Sequence, residues 1–326
     1  MTMKEHVLIT GGAGFLGSHF VNHVVPKYPQ MDFLVIDKLN YASGFNTHLI
    51  KVGGYSNYEF IEFDLSKDFD KLLEIVESHH ITQVINFAAE SCVDKSFKDP
   101  IFFTMNNILS TQYLLECCRL VEWEIKFLHI STDEVYGEQE NTVDEKGILN
   151  PTNPYAATKA SCDLIIQSYI YSYKLPISII RSNNVYGLGQ YPEKIIPMVI
   201  DVLNKRLKGG DDKIPIHGDG HYKRTYLYIS DFLKGVELIW GKQMGGECFG
   251  QVYNICGDDD YEISNLELIK LICGGFDMDY RECIEFVDDR NYNDSRYLLN
   301  CDKIKQLGWE PKIGLKLGLS KIIQSI

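Results

Sequence analysis

Apolar residues in the first half of the chain come in short runs separated by longer mixed stretches. Val7–Thr10, Phe33–Asp37, Tyr58–Phe63, Gln83–Ala88, Ile125–Ser131 and Ile177–Arg181 are β-type runs. Between them Phe15–Val25, Lys71–Ser78, Ile101–Val121 and Tyr155–Tyr173 carry helical patterns. Strands alternating with helices predict an α/β fold, a doubly wound parallel sheet with helices on both faces. In such sheets ligands sit outside the carboxyl ends of the strands, so the residues after each run are the ones to inspect. After Arg181 the rhythm changes. Shorter elements follow: a helix near Ile195–Leu207, a loop at Gly209–Lys213, a strand at Ile214–His217, a helix near Tyr228–Trp240, a strand at Val252–Ile255 and a helix at Leu266–Ile272. This reads as a smaller α/β region packed on the first. The expected division is 1–182 and 183–326, with some segments of the second crossing back.

The first strand ends in Thr10-Gly11-Gly12-Ala13-Gly14-Phe15-Leu16-Gly17 and a helix follows. Glycines at Gly11, Gly14 and Gly17 permit a tight turn, close approach of a pyrophosphate and close helix–strand packing. The helix N-terminus then offers free N–H groups to the phosphates. A glycine triplet alone is weak. Here Asp37 closes the second strand, 20 residues beyond Gly17. An acid there accepts the adenosine ribose hydroxyls and repels a 2′-phosphate, so NAD is expected over NADP, with Lys38 tempering that preference. The pattern is Rossmann-type. Asp64 and Leu65 after the third strand, and Phe87, Ala88, Ala89 and Ser91 after the fourth, would line the same cofactor.

Tyr155 and Lys159 stand four apart on a helix whose start is signalled by Pro151-Thr152-Asn153-Pro154, so they share one face. A tyrosine base needs its pKa moved from about 10 towards about 7, near 4 kcal/mol. A cation at about 4 Å supplies roughly that at an effective dielectric near 20. The expectation is therefore that Lys159, helped by a nicotinamide ring, lowers Tyr155. A second cluster follows the fifth strand: Ser131-Thr132-Asp133-Glu134-Val135-Tyr136-Gly137. Hydride transfer needs only a hydroxyl such as Thr132 beside the tyrosine. Two adjacent acids in a low-dielectric pocket have their pKa values driven apart, and an acid–base pair is what β-elimination of water requires.

Composition narrows the partners. Lys and Arg number 32 against 45 Asp and Glu, a formal charge of −13, which argues against nucleic acid or an anionic membrane surface. No apolar run approaches a membrane span, and Met1–His6 lacks the pattern of a secretion signal. The nine cysteines are an odd number without C-x-x-C spacing. They are expected to be buried thiols in a reducing, cytoplasmic setting rather than disulfides or zinc ligands.

Together these motifs resemble the extended short-chain dehydrogenase/reductase family, and within it the nucleotide-sugar 4,6-dehydratases that act on dTDP- or UDP-glucose. The matching segments run from Gly11–Ser18 through Asp37–Ala42, Ala88–Ser96, Ser131–Gly137, Asn153–Lys159, Asn184–Gly187, Tyr191–Pro197, Pro215–Gly220, Arg224–Asp231 and Tyr253–Ile255 to Asp289–Tyr297. The resemblance implies tightly bound NAD, with Leu39, Asn40, Asn106 and Val185 also near it. It implies that Tyr155 with Lys159 oxidises C4 of the sugar, that Glu134 removes the C5 proton, and that Asp133 protonates the departing C6 hydroxyl. Thr132 would hold the C4 oxygen. The product would be a 4-keto-6-deoxy sugar nucleotide, a step toward deoxysugars such as rhamnose. Ser91 would reach the sugar, and Asn184 and Arg224 the diphosphate. Lys194, Ile195, Pro215, Ile216, His217, Asn254, Asp289, Arg290 and Asn293 would surround the base and ribose. Cys92, Asn106, Val185 and His217 depart from the bacterial dTDP-glucose pattern, which leaves uracil or thymine open. Helices Ile101–Val121 and Tyr155–Tyr173 carry apolar residues on more than one face, and the resemblance implies a homodimer. A 4-epimerase would need Tyr155 and Lys159 but no acid pair. A decarboxylase would need a cation for a sugar carboxylate, and none stands at the matched positions. A non-catalytic NAD-binding protein would not need the tyrosine and lysine that are both present.

Overall fold

A computed structural model describes residues 4–46, 50–257, 262–289 and 292–326. Thirteen strands and thirteen α-helices lie among them. The first part contains β1 His6–Thr10, α1 Phe15–Val24, β2 Asp32–Asp37, α2 Ser43–Asn46, β3 Tyr58–Glu62, α3 Phe69–Ser78, β4 Gln83–Asn86, α4 Val93–Lys98, α5 Pro100–Thr104, α6 Ser110–Leu120, β5 Lys126–Thr132, α7 Pro154–Tyr173 and β6 Ile177–Ser182. The remainder contains β7 Asn184–Tyr186, α8 Ile195–Leu207, β8 Ile214–His217, β9 Lys223–Arg224, β10 Tyr226–Tyr228, α9 Ile229–Met244, β11 Val252–Ile255, β12 Ile263–Ser264, α10 Asn265–Gly275, α11 Tyr280–Cys283, β13 Ile284–Val287, α12 Asp302–Lys305 and α13 Leu315–Ile323.

Seven strands form one parallel sheet in the order β11-β6-β5-β4-β1-β2-β3. Both faces are covered, which is why its strands read as continuous apolar runs. Alternation within β1 divides the core. Val7 and Ile9 join α1 and α9 on one face, with Phe20 and Trp240 among the bulk. Leu8 joins α3, α6 and α7 on the other. The order reverses between β1 and β4, and a crevice opens at that point. A third apolar cluster, built from α8, α10, α13 and β8, forms the smaller lobe. It is framed by three two-stranded pairs, β10–β7, β12–β9 and β13–β8.

Segments beyond the 182/183 division cross back onto the first part. β11 pairs with β6 in the main sheet, and α9 packs against α1. Its length explains this: α9 runs to Met244 with Phe232, Val236, Ile239 and Trp240 all buried. The expected helix Ile101–Val121 is also broken. α5 starts on the Asp99 cap and Pro100, a π-helical turn follows at Met105–Leu109, and α6 continues. Asn107 in that turn accepts from Glu90 N (2.7 Å) and donates to Glu90 O (3.0 Å) and Thr158 Oγ1 (2.9 Å). The extra residue in the turn thus ties the loop after β4 to α7.

The cysteines also differ from expectation. Cys256 and Cys301 form a disulfide, with Cα atoms 6.2 Å apart, where free thiols were expected. Cys256 follows β11, and Cys301 precedes α12, which packs on that strand. A contact made 45 residues apart through the fold leaves no spacing signal. The other seven are free, and all but Cys248 are buried. No helix among the described residues is long and apolar enough to cross a membrane, and none of the described His, Cys, Asp and Glu residues cluster as a metal site.

Candidate active site

The glycine turn shapes one end of the crevice. Gly11 has φ +66°, and a Cβ there would stand 2.6 Å from Ala88 N. A Cβ on Gly17 would meet Gly11 O at 2.2 Å, so helix and turn touch backbone to backbone. Gly14 is the N-cap of α1 and supplies no capping side chain, which leaves the first N–H groups of that helix open to an anion. Asp37 is buried at the end of β2. Its two oxygens accept from Ala13 N (3.0 Å) and Leu39 N (2.9 Å), fixing the carboxylate beside the turn.

These residues open into a cavity of about 280 Å³. Gly11, Gly14, Phe15, Leu16, Gly17, Asp37, Lys38, Asn40, Asp64, Leu65, Phe87, Ala88, Ala89, Ser91, Asn106 and Val185 line it, together with Thr132, Asp133, Glu134, Tyr155 and Lys159. Leu39 does not reach its wall, and sits at φ +52° where its N–H serves Asp37. Lys38 is held by Glu90 at 2.6 Å and by Asn106 Oδ1, so its charge is already paired. That removes the cation that tempered the preference for an unphosphorylated ribose. Two orphaned atoms face the fit of a dinucleotide. Ser131 Oγ and Asn183 Oδ1 are buried without a partner, and both residues line the cavity. A glycine cradle, an uncapped helix start, an acid at the ribose position and unpaired polar atoms at the ends of β5 and β6 together fit NAD.

The reacting groups stand beyond β5. Asp133 and Glu134 open a 3-10 turn that Thr132 caps, its Oγ1 accepting from Glu134 N (3.3 Å) and donating to Asp133 Oδ1 (3.0 Å). Burial first and the Glu134 charge second push Asp133 up to about 7. Burial also raises Glu134, but an Asn153 hydrogen bond (2.9 Å), Lys194 and Arg224 pull it back. Burial thus raises both carboxyls, and the neighbouring Glu134 adds to the rise at Asp133. Asn153 does two jobs, since its Oδ1 also caps α7 at Ala156 N (2.9 Å). Its sequence signal was the Asn-Pro helix start; its second role had none.

Tyr155 and Lys159 are both buried on α7. The expected lowering of Tyr155 is absent from the chain alone. Burial first and the Glu134 charge second raise its pKa, with Thr132 acting the other way. Lys159 donates to Ile130 O (2.7 Å) and lies 3.2 Å from His129 Nε2, and burial lowers its own pKa.

A second cavity of about 320 Å³ shares Glu134, Asn184, Val185, Gln190, Glu193 and Lys194 with the first, so the two form one continuous crevice. Ile195, Pro215, Ile216, His217, Arg224 and Asn293 line it. Arg224 donates to Asp294 O (2.9 Å) and Asn293 Oδ1 (3.2 Å) and lies over the Tyr297 ring. Asp294 in turn accepts from Thr152 Oγ1 and Tyr297. Neither Asp294 nor Tyr297 was singled out by its sequence context. Asp289 lines neither cavity; it is exposed and accepts a hydrogen bond from Tyr222. Arg290 lies outside the described residues. Asn254 is brought to neither cavity. It is fully buried on β11, where its amide accepts from Tyr136 (2.9 Å) and donates to Val143 O (3.2 Å) and Asn300 O (3.1 Å). It fastens the sheet edge rather than a ligand.

Relatives share this arrangement over nearly the whole chain. A dTDP-D-glucose 4,6-dehydratase of Dictyostelium discoideum is 40% identical, covering 97% of this chain and 80% of the relative. A trifunctional UDP-glucose 4,6-dehydratase/3,5-epimerase/reductase of Arabidopsis thaliana is also 40% identical over 97% of this chain, which spans 46% of that longer protein. The crystal structure of a dTDP-glucose 4,6-dehydratase from Streptomyces venezuelae with NAD bound superposes with a TM-score of 0.88 at 33% identity, covering 98% of this chain and 96% of the other. The pattern of the GDP-mannose 4,6 dehydratase family matches residues 8–322. The crevice just described therefore lies in a chain that belongs to the GDP-mannose 4,6 dehydratase family, nucleotide-sugar 4,6-dehydratases of the extended short-chain dehydrogenase/reductase type.

Proposed function

We propose that the protein is an NAD-dependent sugar-nucleotide 4,6-dehydratase that converts dTDP- or UDP-glucose to its 4-keto-6-deoxy derivative. The observation that carries this reading is the buried pair of adjacent carboxyls Asp133 and Glu134, both raised by burial, Asp133 up to about 7. Bound NAD supplies the two-electron acceptor for hydride from C4 and its return to C6. Tyr155 takes the proton from the C4 hydroxyl, and Thr132 orients that oxygen. The resulting 4-ketone acidifies C5, whose proton Glu134 removes. Asp133 delivers its proton to the C6 hydroxyl as the C–O bond breaks and water leaves, and Glu134 gives its proton back to C5 as hydride returns to C6. General acid–base groups of this kind each contribute roughly 10²–10⁴ in rate. Arg224 and Asn184 hold the diphosphate in the second cavity, and Lys194, Ile195, Pro215, Ile216, His217 and Asn293 enclose the nucleoside. A 4-epimerase has no use for the acid pair.

Substrate deuterated at C4 distinguishes the readings. Dehydration places the label at C6 of the product, whereas epimerisation leaves it at C4, and loss to solvent sinks the internal transfer. Running UDP-glucose and dTDP-glucose side by side and comparing kcat/KM assigns the base. We also propose a cytoplasmic homodimer. The dimer is supported by an exposed apolar stripe of Ile101, Met105, Leu164 and Tyr171 along α5, the π turn and α7, and the compartment by six buried free thiols, with the Cys256–Cys301 disulfide standing against it. A monomeric mass by light scattering at micromolar concentration removes the dimer.

A further inference from the structure

Asp294 is a carboxylate that the reaction above does not use. It is 2% exposed and lines the second cavity together with Glu134, Arg224 and Tyr297. Both of its oxygens are engaged. Thr152 Oγ1 donates to Oδ1 (2.8 Å) and Oδ2 (2.7 Å), and the Tyr297 hydroxyl donates to Oδ2. Burial first and the Glu134 charge second raise Tyr297, so its hydroxyl stays protonated and serves as that donor.

Two functional side chains hang on the segments that Asp294 joins. On one side, Arg224 donates to the Asp294 carbonyl (2.9 Å) and to Asn293 Oδ1 (3.2 Å), and its guanidinium lies 4.7 Å from the centroid of the Tyr297 ring. Residues 293–297 are thus the wall against which the arginine is set. On the other side, Thr152 is followed by Asn153, whose Nδ2 donates to Glu134 Oε2 (2.9 Å) while its Oδ1 caps α7. A buried carboxylate is costly unless hydrogen bonds repay its lost water. Here the donors come from the two segments being joined.

We propose that Asp294 is a positioning residue, a clamp that fastens the Arg224 wall of the substrate cavity to the Thr152–Asn153 segment that orients Glu134, so that the diphosphate and the C5 base are held in one frame. Its charge has a second effect. It acts on Glu134 in the direction that makes that carboxylate a stronger base, whereas the Asn153 bond acts the other way. Glu134 is also faced by Asp133 on its own turn, Tyr155 on α7, Lys194 before α8, Arg224 on β9, and Tyr297. Lys159 and Glu193 line the same crevice. The role of Asp294 rests on the reading of Glu134 as the C5 base, but its first test needs no substrate, so the two fail separately.

Purified protein with ¹³Cδ-labelled glutamate reports the titration of Glu134 directly, its signal being the one missing from Glu134→Gln. Asp294→Asn keeps an oxygen for Thr152 and Tyr297 and removes the charge. The Glu134 midpoint should fall by about half a pH unit or more, a threefold loss of proton affinity. Thr152→Val keeps the charge and cuts the clamp, which loosens Asn153 from Glu134, so the midpoint should rise. A general loss of packing does not produce shifts of opposite sign. No fall in Asp294→Asn overturns the effect of the charge, and no rise in Thr152→Val overturns the clamp. If Asp294→Asn fails to fold, the isosteric Thr152→Val decides alone. With dTDP- or UDP-glucose, the acid limb of kcat against pH should move with the midpoint in each variant, and a wild-type profile in both overturns the proposal. A protein that turns over neither substrate overturns the assigned activity and leaves the titration to judge Asp294.

Discussion

The two ends of the crevice are built by different means. At the cofactor end the determinants are backbone: Gly11 at φ +66°, Gly14 as a bare N-cap, and Asp37 clamping the N–H groups of Ala13 and Leu39. At the substrate end they are side chains from distant segments. Arg224 reaches Asp294 across 70 residues, and Thr152 reaches the same aspartate across 142. A backbone cradle can be read from a short stretch of sequence because glycine spacing and strand–turn–helix order are local. A side-chain network exists only after folding. The first end should therefore fail as a unit when its turn is disturbed, and the second should lose its contacts one at a time.

The largest expected effect lies where the ends meet. Glu134→Gln keeps the shape of the pocket and the Asn153 contact but removes the C5 base, so product formation should fall by roughly 10²–10⁴ while NAD remains bound. Wild-type formation of the 4-keto-6-deoxy product by this variant would falsify the role. Gly11→Ala comes next. It sets a side chain 2.6 Å from Ala88 N and forces a non-glycine residue to φ +66°. Strain of about 1–3 kcal/mol is expected, equivalent to about tenfold to a hundredfold weaker NAD binding by calorimetry, with stability lowered as well. A variant that folds and binds NAD normally would show that the turn tolerates a Cβ.

Arg224→Gln probes the other end and should be milder and more selective. It removes a charged hydrogen-bonding group worth about 1.5–3 kcal/mol to an anionic ligand. KM for the sugar nucleotide should rise about tenfold or more, with kcat and NAD affinity little changed. A fall in kcat alone would mean that Arg224 acts through Glu134 rather than on the diphosphate.

The sequence exposed these ends unequally for the same reason. Alternating runs made the parallel sheet legible, and the glycine turn, Asp37 and the Tyr155–Lys159 spacing placed the cofactor end before any coordinates. The π turn escaped because 101–121 carries apolar residues on more than one face, so a one-residue slip in the period leaves no mark. Asn254 was misread because the run Tyr253–Ile255 sits in a segment otherwise devoted to the second lobe, yet pairs with β6. Asp294 was invisible for another reason. Its partner Thr152 lies 142 residues earlier, and only the fold makes them neighbours.

The smallest effect is the one that most sharpens the contrast, because it should have the opposite sign. Asp133 holds its proton to about pH 7 in the folded chain, whereas an aspartate in an unfolded chain releases it near 3.9. Between those values the unfolded state binds fewer protons, so the raised carboxyl makes stability fall as pH rises from about 4 to about 7, with no further loss above. Asp133→Asn removes that penalty while keeping an oxygen for Thr132. The variant should match the parent near pH 4 and melt a few degrees higher near pH 8, each kcal/mol being worth about 2–4 °C in a chain of this general size. It should also lose dehydration, since the amide cannot supply the proton to C6, just as the parent should lose activity above pH 7 when Asp133 ionises. Melting curves for both proteins across that range check the sign. A gap that stays constant, or that favours the parent at pH 8, would mean Asp133 is an ordinary ionised aspartate. A stabilised but inactive variant would show that the acid pair costs stability for the sake of its chemistry.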